Sequence, residues 1–254
     1  MAKIERKYGY VPDLPDFRDH VYSIQRRITK LPQKVDLRPI CPPIENQQHL
    51  GSCSAFALTS TIEILEKKNK RPCVEQFSPL FLYYNERVAG GLVMVDSGSS
   101  IRNGIKSLAR EGCCREGRWP YDTSKYKKKP TARCYEEALE CQILEYKRIN
   151  TVDEMKACLA DGFPFVFGFT VYESFDNTTT RTKGIANMPT KDERVLGGHA
   201  VVGVGYDDST NRFLIRNSYG ETWGMRGCFT IPYAYLADRN LSDDFWMITK
   251  GEKM

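Results

Sequence analysis

Between Gln47 and Phe56 the chain reads Gln47-Gln48-His49-Leu50-Gly51-Ser52-Cys53-Ser54-Ala55-Phe56, which sets the Cys53 thiol at the start of a predicted helix. Ala55, Leu58, Ile62 and Leu65 follow with 3-4-3 spacing and share one helical face. The run Glu66-Lys67-Lys68-Asn69-Lys70 ends the pattern, with cations where a helix C-terminus favours them. A thiol at the opposite end meets unpaired N–H groups and the positive end of the dipole, both of which favour its nucleophilic, ionised form. A buried structural cysteine fits the same pattern, so the rest of the chain must decide.

A cysteine nucleophile needs a base, and only His20, His49 and His199 are on offer. His20 lies in an irregular N-terminal stretch, and His49 in the turn entering the helix, as a surface residue. His199 opens the β-branched run Gly198-His199-Ala200-Val201-Val202-Gly203-Val204-Gly205-Tyr206. A turn at Asp207–Asn211 leads to the strand Arg212-Phe213-Leu214-Ile215-Arg216 and then Asn217, so a hairpin can hold Asn217 beside the imidazole. A satisfied core histidine is the competing reading, and elimination among three candidates favours His199 as the base.

These residues, with further segments in the same order, resemble papain-type cysteine proteases, most closely the cathepsin B branch. His199 lies 146 residues after Cys53 and Asn217 lies 164 after it. Leu31–Arg38 resembles the start of a mature enzyme, Asp96-Ser97-Gly98-Ser99 the strip that binds substrate backbone, and Trp119-Pro120-Tyr121 the segment before the domain crossover. Gly197–Ala200 and Asn217 through Gly224 complete the likeness, which spans about residues 31–250. The resemblance implies Cys53 as nucleophile, His199 as general base and acid, Asn217 as orienting partner, and Gln47 as side-chain donor to an oxyanion hole shared with the Cys53 N–H. The implied reaction is acyl transfer through a thioester, with no cofactor and no metal.

The implied fold is α+β and two-lobed: a helical N-terminal lobe (roughly 31–145), a β-barrel-like C-terminal lobe (roughly 146–254), and the active site in the cleft between. The residues agree: helical signals cluster before about residue 145, and strand-like runs follow at 164–169, 198–206, 212–216, 227–231 and 245–248. Three departures from the family stand out. Ser54 and Tyr219 replace tryptophans near the active site, and Leu50 stands where many members have cysteine. They keep two alternatives open, a catalytically degenerate papain-fold binding or scaffold protein and a thiol transferase or isopeptidase using the same thioester.

No run of 18 apolar residues exists, so no membrane span is expected. The net charge of +5 is mild, and the basic run Tyr126–Lys129 reads as a solvated loop, not a nucleic-acid surface. Vicinal Cys113-Cys114 lacks the paired spacing of a metal site. The N-terminus is charged throughout and carries no secretory pattern, and nine cysteines cannot all pair within one chain. Leu50 and Asp96 occupy both ends of one bridge of secreted relatives, and Asn85 one end of another, with Cys134 near the other end. A reducing, cytoplasmic setting is the expectation, as is a monomer; the sequons at Asn177 and Asn240 are then fortuitous.

Residues 1–30 precede the apparent mature start. Tyr8-Gly9-Tyr10-Val11-Pro12-Asp13-Leu14-Pro15-Asp16-Phe17 favours an extended chain with anchoring side chains, and Arg26-Arg27 offers a processing site. The segment is either an inhibitory strand in the cleft, making the chain a zymogen, or an extension bracing one lobe. Substrates are expected to be proteins or peptides, held at Gly98 and Ser99, with an S2 pocket that includes Gly198 and Ala200. Counting from Asn217 without gaps puts Asp243 at the acidic floor of that pocket, with Asp244 as rival, which would admit arginine beside apolar residues. No histidine is placed for an occluding loop, so an endopeptidase is expected.

Overall fold

The cysteine helix, α1, spans Cys53–Lys68, yet fourteen of its sixteen residues are buried, well beyond the single face its spacing implies. A helix buried all round must lie inside the molecule. Its polar residues are accordingly bonded: Thr59 and Thr61 donate to the carbonyls of Ala55 and Ala57, four residues back. Ser54 donates to Glu86 at 2.7 Å, and Glu63 accepts the Phe77 N–H at 2.8 Å.

In a computed structural model, residues 7–24, 30–69 and 76–249 are described. Strand β1 (Lys34–Asp36) precedes α1; α2 (Pro79–Ala89), α3 (Ile101–Arg110) and α4 (Ala132–Ala138) follow it. Then come β2 (Glu145–Arg148), α5 (Val152–Ala160), β3 (Phe165–Tyr172), α6 (Thr178–Lys183) and β4 (Val195–Asp207). The chain ends with β5 (Arg212–Arg216), β6 (Cys228–Pro232), α7 (Tyr233–Ala237) and β7 (Ser242–Thr249). Four helices precede the main run of strands, as the sequence order implies, with β1 ahead of them and α5, α6 and α7 set among the strands. No helix among the described residues is long and apolar enough to cross a membrane.

The antiparallel sheet runs β2-β7-β3-β4-β5-β6 and does not close, so the barrel-like half is an open sheet. Strand β4 is long enough to change partners: its first half pairs with β3, while Gly205–Asp207 pairs with β1. Alternation along β3 divides two cores. Phe165, Phe167 and Phe169 join Phe213, Phe229 and Phe245 on one side; Val166 faces the helices with Ala200, Val202 and Trp246 on the other. Helix α1 lies on that second face, so the sheet reaches the helical half through β4. The segment before α1 runs along the one after β5: Arg216 donates to Ser60 and to the Pro42 and Pro43 carbonyls, and the Gln47 N–H donates to the Ser218 carbonyl at 2.9 Å.

Glu63 and Glu86 are buried, and Glu45 and Glu116 partly so. Burial pushes their carboxyls up to about 7, 8, 8 and 7 respectively, with neighbouring carboxylates adding to the effect at Glu45. Each binds its proton more tightly folded than unfolded, so this stability is full below the ordinary carboxyl value and is lost as pH rises through 7–8. The urea midpoint is therefore expected to be higher at about pH 5 than at about pH 8, with a smaller gap in Glu86→Gln. Equal midpoints in the natural chain would contradict this.

Candidate active site

Cys53 is the first residue of α1, and His199 sits on β4, where α1 packs. Both are fully buried. Ala200, next to His199, lies in the same core as Cys53, so the thiol and the strand that carries His199 meet. The His199 Nε2 lies 2.8 Å from Asn217 Oδ1, which also accepts the Ser218 N–H at 2.8 Å. Donation from Nε2–H to the amide oxygen sets the tautomer, so Nδ1 is the basic nitrogen.

Tyr219 stacks on the imidazole at 4.8 Å with the rings 20° apart, and Phe169 meets it edge-on at 5.8 Å. Tyr219 thus covers the ring from the position where the family has tryptophan, and Trp223 backs it at 5.5 Å. Ser54, at the other substituted position, spends its hydroxyl on Glu86 inside the helical half.

Gln47 is buried six residues ahead of Cys53. Its Oε1 accepts the Ser218 hydroxyl at 2.6 Å, and its Nε2 donates to the Leu50 carbonyl at 2.9 Å. An amide nitrogen carries two hydrogens, so a second donor remains on this group. Asp96 takes the Gly51 N–H at 3.1 Å and also binds Tyr83 and Lys7. This hydrogen bond ties the loop before Cys53 to the Gly98 loop, between the two positions where secreted relatives carry a bridge. The eight cysteines among the described residues are all free, and Asn85 instead accepts the Tyr135 hydroxyl.

The cleft beside Cys53 holds the chain's own N-terminal segment. The Tyr10 N–H donates to the Gly198 carbonyl at 2.9 Å, the Ser99 N–H to the Gly9 carbonyl at 2.9 Å, and the Val11 N–H to the Ser99 carbonyl at 3.1 Å. Ser99 and Gly198 thus meet backbone, whereas the Gly98 N–H goes to the Tyr83 hydroxyl and Gly98 supplies room. Gly9 presses so close that a Cβ on it would fall 2.0 Å from the Gly51 carbonyl oxygen. The strap thus passes beside Cys53 with the Gly9 carbonyl turned to Ser99.

Tyr10 fills a pocket whose wall is Gly168; a Cβ there would lie 2.0 Å from the ring. The Tyr10 hydroxyl donates to Asp244 Oδ2 at 2.5 Å, and the Asp13 N–H to the same oxygen at 2.7 Å. Asp244, not Asp243, is the acid under this pocket. The Asp243 side chain is 48% exposed and pairs with Arg239, against 1% exposure for Asp244. The reason is a bulge in β7: Val166 faces Trp246 but Gly168 faces Asp243, and Asp244 takes a left-handed φ of 57° that turns it inward. Counting along the chain could not reveal that extra residue. Arg148 supports the acid, with Nη1 2.9 Å from Asp244 Oδ1. Arg26-Arg27 lies outside the described residues, and no group of three metal-binding side chains gathers among those described.

Burial under the strap, ahead of the weaker pull of backbone N–H groups, pushes the Cys53 thiol up to about 11. The helix terminus alone would act the other way, so in the strapped chain burial wins. Alkylation of Cys53 by iodoacetamide at neutral pH should be slow in the full chain. It should quicken about tenfold or more in Gly9→Val, whose side chain collides with Gly51. An unchanged rate in a folded Gly9→Val chain would contradict the closed thiol.

The description "Papain family cysteine protease" matches residues 31–240. An uncharacterised peptidase C1-like protein of Acanthamoeba polyphaga mimivirus is 38% identical, covering 97% of this chain and 88% of the relative. The crystal structure of xylellain, a cysteine protease from Xylella fastidiosa, superposes with a TM-score of 0.91 at 41% identity, covering 99% of this chain and all of that one. A procathepsin B from Trypanosoma congolense shares the fold, with a TM-score of 0.70 at 20% identity over 96% of this chain and 86% of its own.

Proposed function

Since this chain belongs to the papain family of cysteine proteases and is a cysteine-type peptidase, we propose that it is an endopeptidase working through Cys53 and His199 and kept silent by its own N-terminal strap. The observation that carries the second half is the strap's backbone pairing: Gly9 packs on Gly51, two residues from Cys53, and Tyr10 and Val11 are bonded into both walls of the cleft. With the strap away, the thiol regains solvent and the α1 terminus, and its proton passes to His199 Nδ1. The thiolate attacks the scissile carbonyl; His199 then protonates the leaving amine, and water, activated by the same imidazole, hydrolyses the thioester. Gln47 Nε2 and the Cys53 N–H are the oxyanion donors in this reading. Asn217 and Tyr219 hold and cover the imidazole throughout.

The pocket that holds Tyr10 would hold the P2 side chain of a substrate. Its floor is the Asp244–Arg148 ion pair, so an incoming arginine would meet a cation already in place. A tyrosine reproduces the Tyr10 hydrogen bond. The strap-loosened Gly9→Val chain should therefore hydrolyse a fluorogenic peptide with P2 tyrosine about tenfold better than one with P2 arginine, one charge-assisted hydrogen bond's worth. Cys53→Ala should abolish turnover, and His199→Ala should lower kcat by about 10²–10⁴-fold. A folded Gly9→Val chain that cleaves neither peptide would refute the peptidase reading; equal activity in the untouched full chain would refute the strap.

A further inference from the structure

Two arginines of the enzyme body are neutralised by acids that belong to the strap. Asp19 Oδ2 accepts from Arg102 Nη2 at 2.5 Å and from Arg148 Nε at 3.0 Å. Asp13 Oδ2 accepts from Trp246 Nε1 at 3.1 Å and Arg148 Nη2 at 3.4 Å, while its Oδ1 takes the Arg102 backbone N–H at 3.2 Å. Both guanidinium groups face Trp246, at 5.7 Å for Arg102 and 4.4 Å for Arg148. Arg102 is the second residue of helix α3, whereas Arg148 and Trp246 pair across β2 and β7, so the acids bridge the two halves.

The two arginines differ in what they keep when the strap leaves. Arg148 retains Asp244 at 2.9 Å and Asp243 at 3.8 Å. Arg102 retains no carboxylate: Nη1 donates to the Leu14 carbonyl, Nη2 to Asp19, and Nε has no acceptor among the described residues. Yet Arg102 is 8% exposed with the strap in place. A planar, five-donor group that loses this carboxylate is well shaped to take another.

The strap also says where that carboxylate must come from. It crosses the thiol at Gly9, fills the pocket at Tyr10 and reaches the arginines at Asp13, so they lie beyond the pocket, away from Cys53. In a substrate these are the residues N-terminal to P2. Resting on the strap reading above, we infer that Arg102 and Arg148, with the Trp246 N–H, form a carboxylate-binding subsite. It selects peptides carrying an acidic side chain at P3 or P4.

The test uses the full-length chain with Tyr10→Ala, Asp13→Asn and Asp19→Asn, which empty the side-chain sites while keeping the strap attached. Binding is read by fluorescence anisotropy in a Cys53→Ala version. The probes are labelled peptides that share a P2 tyrosine and carry Glu, Ala or Lys at both P3 and P4. The Glu peptide should bind about tenfold more tightly than the Ala peptide at low ionic strength, and the Lys peptide more weakly than either. Arg102→Gln, which keeps most of the side chain's volume, should remove the preference for Glu over Ala. Equal binding of the Glu and Ala peptides, preference surviving in Arg102→Gln, or no binding of any peptide would overturn the subsite. The version with Cys53 separates the two readings. Turnover of all three peptides without preference sinks the subsite and keeps the peptidase; Glu-selective binding without turnover does the reverse.

Discussion

Everything chemical in this molecule depends on the seam where helix α1 lies against strand β4. Cys53 comes from the helix and His199 from the strand, and neither element can hold both groups. The seam is built by burying α1 on all sides, with the helices behind it and the Val166–Ala200–Val202 face of the sheet in front. The hydroxyls of Ser54, Thr59, Ser60 and Thr61 are each hydrogen-bonded, because an unpaired hydroxyl there would cost more than the contact returns. Arg216 fastens the strand side to the loop before α1, and the residue after it is Asn217, which holds the imidazole. The tie between the halves and the orientation of the base thus come from one short stretch of chain.

The strap runs along this same seam. Its backbone bonds to Ser99 on one wall and Gly198 on the other as it passes beside Cys53. Its hold is polar and aromatic: a tyrosine laid on a glycine and capped by a buried carboxylate, then two acids set on two arginines. Its effect on Cys53 is to remove water, which pushes the thiol up against the weaker pull of backbone N–H groups.

The residues proposed for catalysis were legible in the sequence because each sits on an element with a local signature. Cys53 opens a periodic helix, His199 lies in a β-branched strand, and Asn217 follows the hairpin partner. The aromatic, proline-rich opening marked an extended segment, and only coordinates tell a strand in the cleft from a brace on one lobe. Other features depend on pairings far apart in sequence. Arg102 and Arg148 lie on separate elements and share no pattern; their common partner, Asp19, is distant from both. The inward turn of Asp244 follows from a bulge whose extra residue shows only when β7 is laid against β3. Likewise, the open sheet has the same alternating strands as a closed one, and the difference lies in which edges fail to pair.

The central claim is that the strap closes the active site through the Tyr10 latch, and Tyr10→Phe in the full-length chain tests it most directly. The change removes one oxygen from the latch and leaves the ring, the cleft and every catalytic group untouched. Hydrolysis of a fluorogenic peptide with P2 tyrosine, compared between the two chains, is the measurement. Losing a hydrogen bond to a charged group should raise turnover about tenfold by freeing the cleft more often. A Tyr10→Phe chain no more active than the natural one, with Cys53 still able to react, would contradict the account.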